Sequence, residues 1–528
     1  MSFEEQAATL ERKDVVALLA SHHHLKTSFA ELSARNEELT RQLEWFKRQL
    51  FGSKSERRVV EPDGRQPFLG ECLQDASPAV ESTITVAEHR RRRGAPESEE
   101  ETDEGGLRFD ASVPVEEIRI PGDKLAEGEY EIVGEKTTYR LAQRPGSYVI
   151  LKYIREVIKR REDGTLSCPP APASVLGKSI ADVSLLAGLL LDKFRFHLPL
   201  YRQHQRLEAA GIRLARSTLT GLVLRTGNLL EPIYDAQLAS VLQSAVVAMD
   251  ETPIKAGRTG PGKMRTAYFW PVYGDRGEVV FPFSLSRAGV MVREVLGAYR
   301  GVLLSDGYQA YERYAAQING VVHALCWSHT RRWFVKAENI EPALTAQALE
   351  FIRRLYDEEA RLKRKGLDGT MQLEQRALRS KPIVDEFFAW LRRAIEERLL
   401  LPSNPFTQAA GYALDREAGL RVFLEYPNVP MDTNHLEREI RPIAVGRKNW
   451  LFCWTEVGAE CVGIVQSLVA TCRLQGVDPY TYLVDVLQRV DSHPAAGVAK
   501  LTPRLWKEHF VGNPLRSDLD RLVKNAVS

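Results

Sequence analysis

A chain of 528 residues with 44% hydrophobic and 27% charged positions has the composition of a soluble globular protein, long enough for three or four domains with cores of their own. Its formal net charge of +2 excludes a global basic field, so any contact with nucleic acid has to rest on local patches. No stretch approaches the roughly 18 to 20 apolar residues of a membrane span, the opening MSFEEQAATLERK is too polar for a secretory signal, and the six cysteines contain no CxxC pair, which argues against a disulfide framework or a zinc ribbon. A cytoplasmic location is expected.

Residues 1–52 read as a helical region. Leu25, Leu32, Leu39 and Phe46 fall at one heptad position and Phe29, Asn36, Leu43 and Leu50 at the other. That pattern predicts a short coiled coil joining two chains, with Asn36 fixing the register; an amphipathic helix packed on its own chain fits it too. His22, His23 and His24 are adjacent, and three neighbours on a helix cannot all face one ion. Residues 53–106 read as a disordered linker, in which HRRRR at His89–Arg93 is followed by ESEEETDE at Glu97–Glu104. Residues 107–180 read as a small β-rich module, with alternating segments from Tyr130 to Arg161 that turn at Arg144–Ser147 and close at Cys168 on CPPAPAS.

The pattern turns helical over 181–235. A helix from about Pro199 to Ala210, a turn at Gly211 and a second helix capped by Ser217 resemble a helix-turn-helix. Arg202, Arg206, Arg213, Arg216 and Arg225 decorate it, and so many arginines on a short unit suit phosphate contact; a helical hairpin with a solvated basic face is the alternative.

Over 236–340, Ser244–Met249 is a short β-prone run ending on Asp250, and Gly301–Ser305 is a second one ending on Asp306. Further strands are expected at Met264–Tyr273, Glu278–Leu285 and Gly320–Leu325, with helices after Ala288, Tyr308 and His329. These units imply a mixed sheet with helices packed on it. Residues 341–430 hold only long amphipathic helices and read as an insertion. In 431–475, the stretch MDTNHLEREIRPIAVGRKNWLF from Met431 places Asn434, Glu437 and Arg441 on one helical face, gives way at Gly446 to Arg447 and Lys448, and leads to a helix at about Val457–Leu474. Residues 476–528 add a helix at Pro479–Val490 and a polar tail.

Alone, the polar face around Glu437 is an ordinary solvated surface. With Asp250 and Asp306 it becomes a candidate site, because two carboxylates at strand ends and one on a helix across the sheet edge can hold two hard divalent cations, Mg²⁺ or Mn²⁺. Asp250 would bridge, Asp306 and Glu437 would take outer positions, and Asn434 would orient Glu437 or a bound water. Arg441, Arg447 and Lys448 would grip a phosphate backbone. Glu439 sits about 200° round the helix from Glu437, and is expected to point to solvent.

The motifs MDETP around Asp250, SDGYQAY around Asp306, CWSHTRRWF at Cys326–Phe334, LPLYRQ at Leu198–Gln203, NHLEREIRPIAVGRKNWLF from Asn434, LFGSKSE at Leu50–Glu56 and LTPRLWK at Leu501–Lys507 together resemble the large transposase of the insertion sequence sixty-six family, a DDE-type transposase. The resemblance covers most of the chain. It implies an α/β fold, an RNase H-like catalytic core with a helical insertion, preceded by an N-terminal coiled coil and a helix-turn-helix-like DNA-binding region. It also implies an acidic triad at Asp250, Asp306 and Glu437, binding of terminal inverted repeats, metal-dependent cleavage, strand transfer to target DNA, a homodimer or higher oligomer, and a possible need for small companion proteins. The family's cysteine zinc-binding module is reduced here to Cys168, so zinc is not expected. Cys326 and His329 form a CxxH half-site, and since two ligands do not make a structural zinc site, a packing and hydrogen-bonding role is expected. The rivals are an inactive, domesticated DNA-binding protein and a metal-dependent nuclease without strand transfer. Three acids in place argue against the first, and the coiled coil against the second.

Overall fold

The computed structural model describes residues 101–528, apart from 103–106, 110, 122–129, 145, 178, 261–262, 399, 451–452, 454 and 528, together with residues 21, 22, 24, 26–29 and 33. Most of the heptad seam over 25–50, LFGSKSE and the linker before residue 101 lie outside the described residues. Within the run read as linker, Glu101–Thr102 pairs antiparallel with Arg108–Phe109, which pairs in turn with Ile212–Arg213.

Strands β1 (Val115–Ile120), β2 (Tyr130–Arg144) and β3 (Ser147–Arg160) form the β-rich module. The alternating pattern of β2 and β3 produces a long antiparallel hairpin, turned at Gly146 with φ of +82°, and β1 lies parallel to β3. Helix α1 (Val183–Phe194) starts at Asp182, whose side chain accepts from the Ser184 N–H at 2.9 Å. Helices α2 (Leu200–Ala209) and α3 (Arg216–Leu229) follow, and α4 (Glu231–Val241) leads into the sheet. The expected cap at Ser217 is corrected: Ala215 holds the cap position, and Ser217 lies in the first turn. Six residues separate α2 from α3 and include a strand pairing, so the connection is wider than a turn at Gly211 alone.

The central sheet contains β4 (Val246–Met249), β7 (Val272–Gly274), β8 (Glu278–Val280), β9 (Gly301–Ser305) and β10 (Val321–Leu325), in the order β8-β7-β4-β9-β10. Strand β7 pairs antiparallel with both β8 and β4, whereas β4, β9 and β10 run parallel to one another. Between β4 and β7 a hairpin of β5 (Thr252–Gly260) and β6 (Lys263–Phe269) stands apart from this sheet. The single strand expected over Met264–Tyr273 is thus broken at Trp270–Pro271, where proline has no N–H to donate. Helices α5 (Val290–Leu296), α6 (Gln309–Gln317) and α7 (Trp327–Ala337) complete this part.

The insertion is helical, with α8 (Pro342–Arg364), α9 (Lys381–Arg398) and α10 (Pro405–Leu414) as its main elements. Trp327 of α7 is buried against Phe387, Phe388 and Phe423, which docks the insertion on the sheet-bearing part. Arg376 is fully buried, paired with Glu359 and donating to the carbonyls of Phe423, Tyr426 and Val429, so it ties the insertion to the segment leading back toward the sheet.

The chain returns through α11 (Asn434–Trp450), α12 (Glu456–Leu474) and α13 (Pro479–Arg489). Helix α11 does not stop at Gly446 but runs on to Trp450 with Pro442 inside it. By length and a mean hydropathy of 1.3, α12 is apolar enough to cross a bilayer, which corrects the expectation that no stretch approaches one. Its apolarity serves the core, since it is buried without a break from Cys461 to Cys472. It passes so close to the sheet edge that a Cβ on Gly463 would meet the Phe281 carbonyl at 2.4 Å. Ser467 Oγ accepts from the Phe281 N–H at 2.9 Å and Thr471 Oγ1 from the Val279 N–H at 3.1 Å. The exposed edge of β8 is thereby closed by helix hydroxyls. The polar tail also proves ordered: α14 (Pro503–His509) buries Trp506, which donates to Asp485 at 2.7 Å, and Asp518 at the start of α15 (Asp518–Val527) accepts from Tyr153 at 2.8 Å.

Candidate active site

Parallel pairing sets Val302 against Val246 and Leu304 against Ala248. Continuing that register by two residues places Asp306 beside Asp250, at the same end of adjacent strands spaced about 4.8 Å apart. The Asp250 carboxylate accepts from the Glu251 N–H at 2.8 Å, and that of Asp306 from the Tyr308 N–H at 2.9 Å. Burial pushes the Asp250 carboxyl up to about 7; the Glu251 N–H opposes this, and the charges of Asp306, Glu251 and Glu437 add to it.

A second layer braces both aspartates. Glu251 accepts from Arg287 at 2.6 Å and from the Tyr311 hydroxyl at 2.8 Å, while Tyr308 lies under the Arg287 guanidinium at 5.0 Å and donates to its carbonyl at 3.1 Å. Glu251, Tyr308 and Tyr311 stand within MDETP and SDGYQAY, so these motifs supply the braces as well as the acids.

The third acid arrives through a chain of contacts. The Cys326 N–H donates to the carbonyl of Ser305 at 3.2 Å, just before Asp306. Its sulfur accepts from both the N–H and the hydroxyl of Thr433, each at 3.4 Å, and the Thr433 carbonyl accepts from the Glu437 N–H at 2.9 Å. Cys326 thus staples the first turn of α11 to the strand that carries Asp306. Burial pushes its thiol up, which keeps the sulfur neutral. On α7, Arg332 Nη2 lies 3.5 Å and His329 Nε2 3.9 Å from Glu437 Oε1, and the His329 Nδ1 is buried without a partner among the described residues. Burial lowers the His329 pKa, as does Arg332, against the pull of Asp306, Glu437 and Asp432.

Among the described residues no three of His, Cys, Asp and Glu stand close enough to hold one metal ion as they are placed. The three carboxylates share one electrostatic neighbourhood without forming a closed ligand set. Hard oxygen donors and uncompensated negative charge at a buried strand end fit a divalent cation.

Other candidate residues divide. The Asn434 amide donates to Asp432 at 2.6 Å, and Asp432 also accepts from Tyr356 at 2.8 Å. Arg447 donates to the Pro253 carbonyl, whereas Arg441 and Lys448 are exposed. Glu439 is not in solvent: it is buried and paired with Arg473 of α12 at 2.5 Å. Arg202, Arg213 and Arg216 are exposed. Arg206 bonds Tyr148 at 2.8 Å and pairs with Asp192, so its guanidinium is committed within the fold rather than free for phosphate. Sequence patterns alone do not single out Arg332, Arg287 or Asp432, although the first lies inside CWSHTRRWF and the last inside the stretch that opens at Met431.

Residues 178–461 match the family described as "Transposase IS66 family", 467–503 match its C-terminal element, and 38–118 match a family described as "Transposase C of IS166 homeodomain". The chain belongs to the IS66 transposase family. Membership makes it a transposase with DNA binding. Among its relatives in Sinorhizobium fredii, the uncharacterized protein y4hP is 31% identical over 400 residues, covering 71% of each chain. The uncharacterized protein y4jD is 28% identical over 93% of this chain and 99% of its own, and the uncharacterized protein y4qI is 28% identical over 96% of both.

Proposed function

We propose that this IS66 family member is a DDE-type transposase that binds the terminal inverted repeats of its element, cleaves DNA there and joins the freed 3′ end to target DNA. The observation that carries this reading is the parallel register of Val302 with Val246 and Leu304 with Ala248, which runs on toward Asp306 and Asp250 at the same end of the two strands, with Glu437 tied to that end through Cys326 and Thr433. The mixed sheet with acids at its strand ends supports an RNase H-like core.

Asp250, Asp306 and Glu437 would hold two divalent cations, Mg²⁺ or Mn²⁺, which when bound activate the attacking oxygen and stabilise the leaving one. The chain's own residues do the positioning. Glu251, Arg287, Tyr308 and Tyr311 fix the two aspartate loops, Arg332 and His329 hold the Glu437 carboxylate, and the exposed Arg441 and Lys448 continue along α11 as phosphate contacts. The heptad seam would pair two chains; Phe29, one of its residues, is 75% exposed in the single chain.

The test is a strand-transfer assay with the element's own ends and Mg²⁺ or Mn²⁺. The wild type should cleave and join. Glu437→Gln, which keeps shape but removes charge, should stop both while end binding persists, and Glu439→Gln should retain activity per folded molecule while lowering stability by removing the ion pair with Arg473. Cleavage without joining would favour a nuclease, binding without cleavage a domesticated DNA-binding protein, and normal cutting by Glu437→Gln would remove this residue from the site.

A further inference from the structure

A cleft of about 650 Å³ opens between helices α1, α2 and α3 on one side and the end of α11 with the start of α12 on the other. Its volume falls within the roughly 300–1,000 Å³ of ligand pockets. Lys193, Arg202 and Arg216 line it, and no Asp or Glu does among the described residues. None of the three cations has a carboxylate partner among the described residues. Lys193 rests by the Phe194 ring, and burial pushes its ammonium below the usual lysine range. The Arg216 guanidinium stands 5.8 Å over the ring of Tyr201, which is 56% exposed. Most of the remaining wall is apolar, including Phe194, Leu200, Val223 and Val462, with Thr220, Asn449 and Thr455 as its neutral polar members.

Three uncompensated cations select an anion, and an apolar wall beside an open aromatic ring selects a flat apolar face joined to it. A nucleotide has both. A base paired within a duplex offers only its edge and cannot enter such a concavity, whereas an unpaired one can stack on the tyrosine while its phosphates meet the cations. The cleft also has a fixed place relative to the acids. Asn449 lines it, twelve residues after Glu437 on the same helix, which is about 18 Å at about 1.5 Å per residue, or about five nucleotides of a strand at about 3.4 Å each.

We infer that this cleft takes an unpaired nucleotide of the element's end about five positions from the bond that is cut, stacked on Tyr201 with its phosphates held by Lys193, Arg202 and Arg216. The inference rests on the transposase reading. It also makes α11 a ruler, with the third acid at one end and the captured nucleotide at the other.

The test uses the full chain and end duplexes carrying the fluorescent base 2-aminopurine at one position at a time on either strand near the cleavage point. Binding should brighten a position about five nucleotides from the cut, as the base leaves the duplex stack. Tyr201→Ala, at an exposed site, and Lys193→Met, which keeps the volume, should each abolish the brightening and weaken end binding by about tenfold, the order of a single base–aromatic stack. Ends that are bound and cut with no brightened position, or brightening that both variants retain, overturn this inference alone. A wild type that binds no ends overturns the transposase reading, and this inference with it.

Discussion

Asp250 shows at the scale of one residue what the site costs the fold. Its carboxyl is buried among Asp306, Glu251 and Glu437, and its folded-state pKa of about 7 lies above that of an exposed aspartate. Between about pH 4 and that value the folded chain binds a proton the unfolded chain has released, so stability falls as pH rises through this window. Asp250→Asn removes the penalty. In the absence of divalent cations it should raise the thermal midpoint by a few degrees at pH 8, with the gain gone below about pH 4. Scanning calorimetry in chelator at the two pH values checks this, and a lower midpoint at pH 8 would show that the carboxylate is compensated. The opposed directions of Glu437 and Glu439 follow from their spacing, and the structure keeps them apart. What the spacing could not show is that Glu439 turns inward to Arg473, because the partner is 34 residues further on and no local pattern announces it.

Element by element, legibility followed how local the cause was. The runs before Asp250 and Asp306 are short and apolar, and the strands formed where the pattern put them. Strand β5 escaped because TPIKAGRTG has neither apolar alternation nor a continuous apolar run, and what holds it is its hairpin partner β6 and a backbone bridge to Cys453, nearly two hundred residues further on. Gly446 looked like a helix end, yet it is buried within α11, where packing outweighs a glycine cost of about 1 kcal/mol. The staple from Cys326 to Thr433 joins positions 107 residues apart and could not be read from either motif alone. Cys326→Ala would leave the N–H and hydroxyl of Thr433 buried without an acceptor, at about 1–3 kcal/mol. The expected result is a lower unfolding midpoint together with a loss of cleavage larger than the loss of folded protein, because the first turn of α11 is freed from the strand bearing Asp306. Cleavage normalised to folded protein by circular dichroism reads both, and an unchanged normalised rate would reduce the cysteine to a packing role.

For the whole molecule, a net charge of +2 leaves DNA affinity to be supplied by particular cations. The arginines of the helical middle are not equivalent in this respect. All four of Arg202, Arg206, Arg213 and Arg216 are exposed, but the Arg206 guanidinium is also engaged by Tyr148, whose ring lies under it, and by Asp192 of α1, so it joins α2 to the β-rich module and to the preceding helix. For every phosphate that a variant no longer neutralises, the dependence of log K on log salt should flatten by about 0.9. Replacing Arg202, Arg213 and Arg216 together by Ala should therefore reduce the slope by roughly 2.7 if each meets one phosphate. Arg206→Ala should leave the slope as in the wild type and lower the unfolding midpoint instead, because it leaves Asp192 and the Tyr148 hydroxyl without their partner. Titrations of the element's end at several salt concentrations, with thermal unfolding of the same proteins, separate the two roles. A flattened slope in Arg206→Ala with an unchanged midpoint would return that arginine to the set that meets DNA, and an unchanged slope in the triple variant would move phosphate binding off this face to Arg441 and Lys448 on α11.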